Sequence, residues 1–264
     1  MRVTVSDIVS LYRPTPCDLR IYLREHDFPE AEPSAFDEIL RTLGERHEQQ
    51  HLATLGACED ISAIPAPDRV SRTIEAIQNH LRVIYQGEFA LETDVAGIPV
   101  IVVGRPDYLI WDTDGYIIRD SKLSRQVDAD HHVEITLQFQ LYGWLFERTI
   151  GERAKRLQVH TGKRDIVDVP CDGGVAAILA ELERVLRLKQ LGAEPYEPVG
   201  WTKCGGCGFN KYCWDKAQES GDVALVAEVD QGLARQPTSS ANPRRQMRAT
   251  RTGVTLCGNQ LKKT

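Results

Sequence analysis

The most constraining stretch is residues 89–124. FALETDVAGIPVIVVGRPDYLIWD has β-branched runs broken at Gly97-Ile98-Pro99 and at Gly104, which is the signature of short strands joined by tight turns. Asp112-Thr113-Asp114-Gly115 reads as a hairpin turn and YIIRDSKLS as the returning strand. Ile117 and Ile118 open that strand as apolar residues, so it is expected to be buried, yet it carries Asp120 and Lys122. Buried charges are rare without partners. Asp120 and Lys122 are two residues apart and share a strand face. The hairpin folds them back beside Asp107, at the end of VIVVGRPD.

Two carboxylates and an ammonium converging at one point suit phosphodiester hydrolysis. A hard cation such as Mg²⁺ takes carboxylate and phosphate oxygens, and it polarises a phosphoryl oxygen and acidifies an attacking water. Lys122 can position that water or offset charge in the transition state. The plain alternative is a surface ion pair of the D-x-K type, since short motifs recur by chance.

Helices flank the strands. Short helices are expected around Ser6–Leu11 and in DLRIYLRE, and a strong one over residues 35–56, where Ile39, Leu43, His47 and His51 share a face. Residues 68–86 read as one amphipathic helix and 134–150 as another. Strands are expected at Leu157–His160 and Asp165–Val169, and a helix over 173–191. His47 or His51 could ligate a transition-type ion, although a lone helical histidine is more often structural. Gln138 and Tyr142 are one turn apart. They could hydrogen-bond a phosphate or orient Lys122, or simply form the polar rim of an amphipathic helix.

Seven cysteines with no export signal argue against a disulfide framework. Cys204, Cys207 and Cys213 form C-x2-C-x5-C, with glycines at 205, 206 and 208. Three clustered thiolates suit a soft metal centre, with Cys17 as the candidate fourth ligand. Zinc held by thiolates is the alternative, although it more often uses two C-x2-C pairs. Cys58, Cys171 and Cys257 read as ordinary free thiols.

Net charge is -6, but residues 237–264 hold six Lys or Arg and no acid, leaving 26 basic against 38 acidic residues elsewhere. Overall acidity does not exclude a nucleic-acid substrate, because phosphate contacts need only a local basic stripe. No run of 18 apolar residues is present, so no membrane partner is expected, and the N-terminus has no signal-peptide pattern. A cytoplasmic protein is expected.

The order G-x-x-H at Gly44–His47, G-x-P-D at Gly104–Asp107, D-x-K at Asp120–Lys122 and Q-x-x-x-Y at Gln138–Tyr142 resembles the RecB-like branch of the PD-(D/E)XK nucleases. The resemblance implies His47, Asp107, Asp120 and the backbone carbonyl of Ser121 as ligands of Mg²⁺ or Mn²⁺, and Lys122 as the catalytic lysine. Gln138 and Tyr142 would support the site and the DNA. Cys17, in CDLRIYL, together with Cys204, Cys207 and Cys213, resembles the subset that includes the AddB nuclease and the CRISPR-associated RecB-like nucleases. That likeness implies a 4Fe–4S cluster stapling the two ends of the domain.

The implied fold is α/β, a restriction-endonuclease-like core with a mixed central sheet flanked by helices, an N-terminal helical part and a C-terminal cysteine segment. Residues 1–220 would be the nuclease domain, 221–236 the start of an incomplete helical module, truncated or altered at this end, and 237–264 a disordered basic tail. The implied activity is DNA hydrolysis, as an exonuclease on single-stranded ends in repair, recombination or defence, with a helicase or another nuclease-complex component as partner. A nucleic-acid-binding or assembly module without strong activity is the competing reading; a zinc-stabilised structural protein is the third.

Overall fold

The computed structural model describes residues 1–127, 132–170, 174–226, 229 and 231–235. The expected basic tail at 237–264, Cys171 and Cys257 lie outside the described residues. The chain divides into two units, residues 1–197 with 206–209, and residues 198–205 with 210 onward.

In the first unit the elements run β1 (Arg2–Thr4), α1 (Val5–Tyr12), α2 (Leu19–Glu25), α3 (Ala35–Leu55), β2 (Glu59–Asp60), α4 (Arg69–Gln78), β3 (Val83–Tyr85), β4 (Phe89–Val95), β5 (Ile98–Gly104), β6 (Tyr108–Asp112), β7 (Gly115–Ser121), α5 (Val133–Ile150), β8 (Arg156–His160), β9 (Ile166–Val169) and α6 (Gly174–Lys189). A three-stranded sheet has the order β1-β5-β4, and a six-stranded one β2-β3-β6-β7-β8-β9. The larger sheet is mixed: β2–β3 and β7–β8 are parallel and its other pairs antiparallel. This is the expected mixed α/β architecture.

The chain passes from one sheet to the other through Arg105, Pro106 and Asp107, between the end of β5 and the start of β6. Gly104 is required at that crossing. A Cβ there would lie 2.7 Å from Leu145 Cδ1 and 3.1 Å from the Tyr142 ring, so the absence of a side chain lets α5 press against the strand. That helix buries Leu137, Phe139, Leu141, Leu145 and Phe146, and they join Phe89, Val102, Ile118 and Leu157 in one apolar core. Central β7 is buried from Tyr116 to Asp120.

Two sequence expectations need correction. The helix read over 68–86 stops at Gln78, and Val83–Tyr85 is a buried strand. His80 adopts φ 51°, while its N–H reaches Ile77 O and the N–H of Leu81 reaches Ala76 O. This left-handed ending satisfies the last carbonyls and turns the chain into the sheet. In α3 the shared face of Ile39, Leu43, His47 and His51 is only half packed: the histidines are buried and the aliphatics exposed.

The second unit has α7 (Asn210–Ser220), a 3₁₀ turn at Val223–Leu225 and α8 (Gln231–Arg235). Its small core is Val199, Ala217, Ala224 and Ala234. Trp201 donates its indole N–H to Ala224 O at 3.0 Å, and Gln231 Nε2 donates to Pro198 O at 2.8 Å. The segment read as the start of a helical module is therefore a 3₁₀ turn and a short helix among the described residues. No described helix is long and apolar enough to cross a membrane.

Candidate active site

The β6–β7 hairpin pairs Tyr108 with Arg119 and Asp112 with Gly115, with Thr113 at φ 54° in the turn. This register sets Asp107 against Asp120, one step beyond the paired residues. The N–H of Asp107 donates to Asp120 Oδ1 at 2.7 Å, and the N–H of Ser121 donates to Asp107 Oδ2 at 2.8 Å. Lys122 Nζ lies 3.1 Å from Asp120 Oδ2. The expected convergence of Asp107, Asp120 and Lys122 is present.

The helical pair acts on the strands. Gln138 Nε2 donates to Asp120 Oδ2 at 2.7 Å and to the Tyr142 hydroxyl at 3.0 Å. Tyr142 OH donates to Arg105 O at 3.0 Å. One turn of α5 thus fixes an acidic side chain on β7 and the backbone that carries Asp107. The pair reaches Lys122 through Asp120, whose Oδ2 meets both Gln138 Nε2 and Lys122 Nζ.

Electrostatics follow from crowding. Burial pushes the Asp107 carboxyl well above the usual carboxylate range; Asp120 adds to the effect, Lys122 opposes it and Glu48 raises it again. Burial works against the charge on Lys122, but Asp120 and Asp107 outweigh it and hold its pKa above the ordinary lysine value. Burial raises Tyr142 well above its usual value, so it remains a neutral donor.

Glu48 was not singled out from sequence. It lies on α3, next to His47. Its Oε1 accepts from Tyr85 OH at 2.8 Å and from Gln86 Nε2 at 2.6 Å, and Gln86 Nε2 also reaches Asp107 Oδ1 at 3.2 Å. Tyr108 OH donates to Glu48 O at 2.7 Å, fixing the helix over the hairpin. The only sequence signal was its place directly after G-x-x-H.

His47 packs against His160. Its Nε2 is 3.4 Å from His160 O and its ring stacks on His160 at 4.4 Å. His51 stacks on His160 at 3.9 Å, and its Nε2 lies 3.1 Å from Arg119 Nη1. Burial leads in lowering both His51 and His160 to about 4. His160, like Glu48, was missed. The Ser121 hydroxyl lies 3.3 Å from Tyr108 OH and 3.2 Å from His160 Nδ1. Among the described residues no three His, Cys, Asp or Glu side chains are gathered as a preassembled metal group. The Asp107 and Asp120 oxygens accept from Ser121, Gln138 and Lys122.

The cysteines fall in both units. In the first, Cys17 donates its N–H to Leu11 O at 2.9 Å. Its thiol is pushed up to about 11 by burial, with Arg20 opposing and Glu197 and Cys207 adding. In the second, Cys204 Sγ accepts from Gly200 N at 3.2 Å and Gln231 Nε2 at 3.5 Å, while Cys213 packs at the edge of the small core. Cys17, Cys58, Cys204 and Cys207 are free thiols.

No curated protein matches the chain. Among solved structures, it is similar to the crystal structure of SSO0001, with 18% identity, a TM-score of 0.44, and coverage of 81% of this chain and 86% of that one. The family model for the PD-(D/E)XK nuclease superfamily matches residues 19–214, a span that takes in Asp107, Asp120, Lys122, Gln138 and Tyr142. The chain therefore belongs to the PD-(D/E)XK nuclease superfamily.

Proposed function

We propose that this protein hydrolyses DNA phosphodiester bonds with Mg²⁺ or Mn²⁺ held at Asp107 and Asp120, with Glu48 as the nearby third carboxylate. The observation that carries this reading is the backbone-locked pair Asp107–Asp120 with Lys122 at 3.1 Å. The donor set fits a hard divalent cation. Three carboxylates against one ammonium leave local negative charge that a cation relieves, and oxygen ligands are what Mg²⁺ and Mn²⁺ take. When bound, the ion supplies Lewis-acid polarisation of the phosphoryl oxygen and an acidified water.

The chain's own residues do the rest. Gln138 keeps Asp120 aimed, and Tyr142 holds the Arg105–Asp107 crossing. Lys122, kept protonated by the two aspartates, can donate to a non-bridging phosphate oxygen as charge develops there. The Ser121 carbonyl and His47 remain further candidate ligands, His47 by exchanging its stack on His160 for the cation.

Single-stranded ends are the proposed substrate and exonucleolytic action the proposed mode, by likeness to the RecB-like branch. A helicase or another nuclease-complex component is the proposed partner. We further propose that Cys17, Cys204, Cys207 and Cys213 hold a 4Fe–4S cluster. The C-x2-C-x5-C spacing supports it, as does Cys207 lying close enough to Cys17 to disfavour its thiolate, since a metal centre removes that penalty. Free thiols suit a reducing, cytoplasmic setting.

The decisive experiment incubates end-labelled single- and double-stranded DNA with Mg²⁺ or Mn²⁺ and compares the wild type with Asp120→Ala. Metal-dependent cleavage lost in the variant supports the reading. Binding without cleavage by the wild type returns the protein to the assembly-module class. Anaerobic purification with iron, sulfide and zinc analysis tests the cluster separately.

A further inference from the structure

Asp107 has a neighbour on each side. Strand β6 lies between β3 and β7, and Tyr108 pairs with Tyr85 on one side and with Arg119 on the other. One step further, Asp107 falls between Gln86 and Asp120. The backbone N–H of Gln86 donates to Asp107 O at 2.8 Å, continuing the ladder just past the end of β3. The Asp120 flank follows from the hairpin. The Gln86 flank joins residues 21 apart in the chain and belongs to none of the sequence motifs.

Gln86 also reaches beyond its row. Its Nε2 donates to Asp107 Oδ1 at 3.2 Å and to Glu48 Oε1 at 2.6 Å. A primary amide carries two N–H donors, so this one side chain serves both carboxylates. Glu48 arrives on α3 and Asp107 on the sheet, and two carboxylates brought together repel unless a donor or a cation lies between them. Tyr85, the preceding residue, donates its hydroxyl to the same Glu48 oxygen at 2.8 Å. Both bonds fall on Oε1, and among the described residues none falls on Oε2. The Gln86 backbone is left-handed, at φ 54°. That conformation is costly for a residue other than glycine, and the bonds to Asp107 and Glu48 offset the cost.

We infer that Gln86 is a positioning residue: its amide clamps Glu48 Oε1 to Asp107 Oδ1 and leaves Glu48 Oε2 as the oxygen that meets the cation. The role rests on the proposed cation site and adds to it the residue that spaces two of its carboxylates.

Mn²⁺ binding to the full chain without DNA, read from the electron paramagnetic resonance of the free ion, tests the clamp. Gln86→Asn keeps an amide on a residue that tolerates the left-handed backbone, but it is one methylene too short to span both carboxylates. It should bind Mn²⁺ about tenfold more weakly than wild type, the loss expected of a group that orients a ligand. Gln86→Gly, which suits the backbone and removes the amide, should lose at least as much while its metal-free melting transition shows it folded. Because Gln86 acts through Glu48, the two changes should not add: in a Glu48→Gln background, Gln86→Asn should weaken binding by less than about twofold. A residue that only supports the fold would change the melting temperature and leave the affinity where it was. Wild-type affinity in both Gln86 variants overturns the inference. So does an undiminished loss in the Glu48→Gln background, or a wild type that binds no Mn²⁺. Cleavage of end-labelled DNA judges the nuclease reading separately. A chain that binds Mn²⁺ through Gln86 and Glu48 but cuts no DNA keeps the clamp and loses that reading; one that cuts DNA while Gln86→Asn and Gln86→Gly bind Mn²⁺ as wild type does the reverse.

Discussion

Asp107 and Asp120 hold each other through their backbones: the N–H of Asp107 bonds an oxygen of Asp120, and an oxygen of Asp107 bonds the N–H that follows Asp120. The clasp fixes both carboxylates before any substrate arrives, and preorganised charge of this kind is what accelerates phosphoryl transfer. It also forces like charges together, which disfavours the fold; a cation held there, as proposed, would relieve that cost.

Asp107→Asn should therefore separate stability from activity. Removing one of the crowded charges is expected to raise the melting temperature of the metal-free protein by about 2–4 °C, if the repulsion costs about 1 kcal/mol. The same change should remove the stabilisation by Mn²⁺ and lower cleavage at least about a hundredfold. Calorimetry with and without Mn²⁺, alongside a cleavage assay, reads both effects.

Glu48→Gln should weaken the apparent Mn²⁺ affinity by about 10- to 100-fold, as expected for a supporting carboxylate. Saturating metal should recover most of the rate. His47→Gln is expected to shift that affinity less, because its ring is committed to His160 at 4.4 Å. Metal titrations of the cleavage rate rank the two; a larger shift for His47 would reassign the ligand.

Gly104→Ala tests the crossing between the sheets. The added methyl would meet Leu145 at 2.7 Å and Tyr142 at 3.1 Å. Overpacking of this kind costs about 1–3 kcal/mol, and displacement of Tyr142 should loosen the Arg105–Asp107 segment. Chemical denaturation should show the loss of stability, and turnover should fall further than the lost folded fraction explains.

The stacked histidines make stability depend on pH. His51 and His160 titrate near 4 in the folded chain, against an ordinary 6.5. Between those values the unfolded chain binds more protons, so stability rises with pH across this window. The full contribution is present above about pH 6.5 and is lost as pH falls toward 4. Denaturation midpoints should drop from pH 7 to pH 5 in the wild type, and less steeply in His51→Gln. A flat profile would falsify the stacked, neutral arrangement.

Much of the site was legible in the chain itself. Asp120 on β7 and Lys122, one residue past the strand's end, keep the period of two, Gln138 and Tyr142 share a helix face by the period of 3.6, and the Asp112–Gly115 turn brings Asp107 back to them. These are local consequences of backbone geometry. The partners of those side chains were not legible. That Gln138 serves Asp120, that Gln86 links Glu48 to Asp107, and that His160 stacks between His47 and His51 depend on contacts across 18, 21 and 113 residues, which no local pattern encodes. The same limit explains α3. Spacing placed Ile39, Leu43, His47 and His51 on one face, but only the position of the sheet decided that the histidines would be covered and the aliphatics left in water. Periodicity specifies which side chains point together; what they point at is set by the packing of elements far apart in sequence.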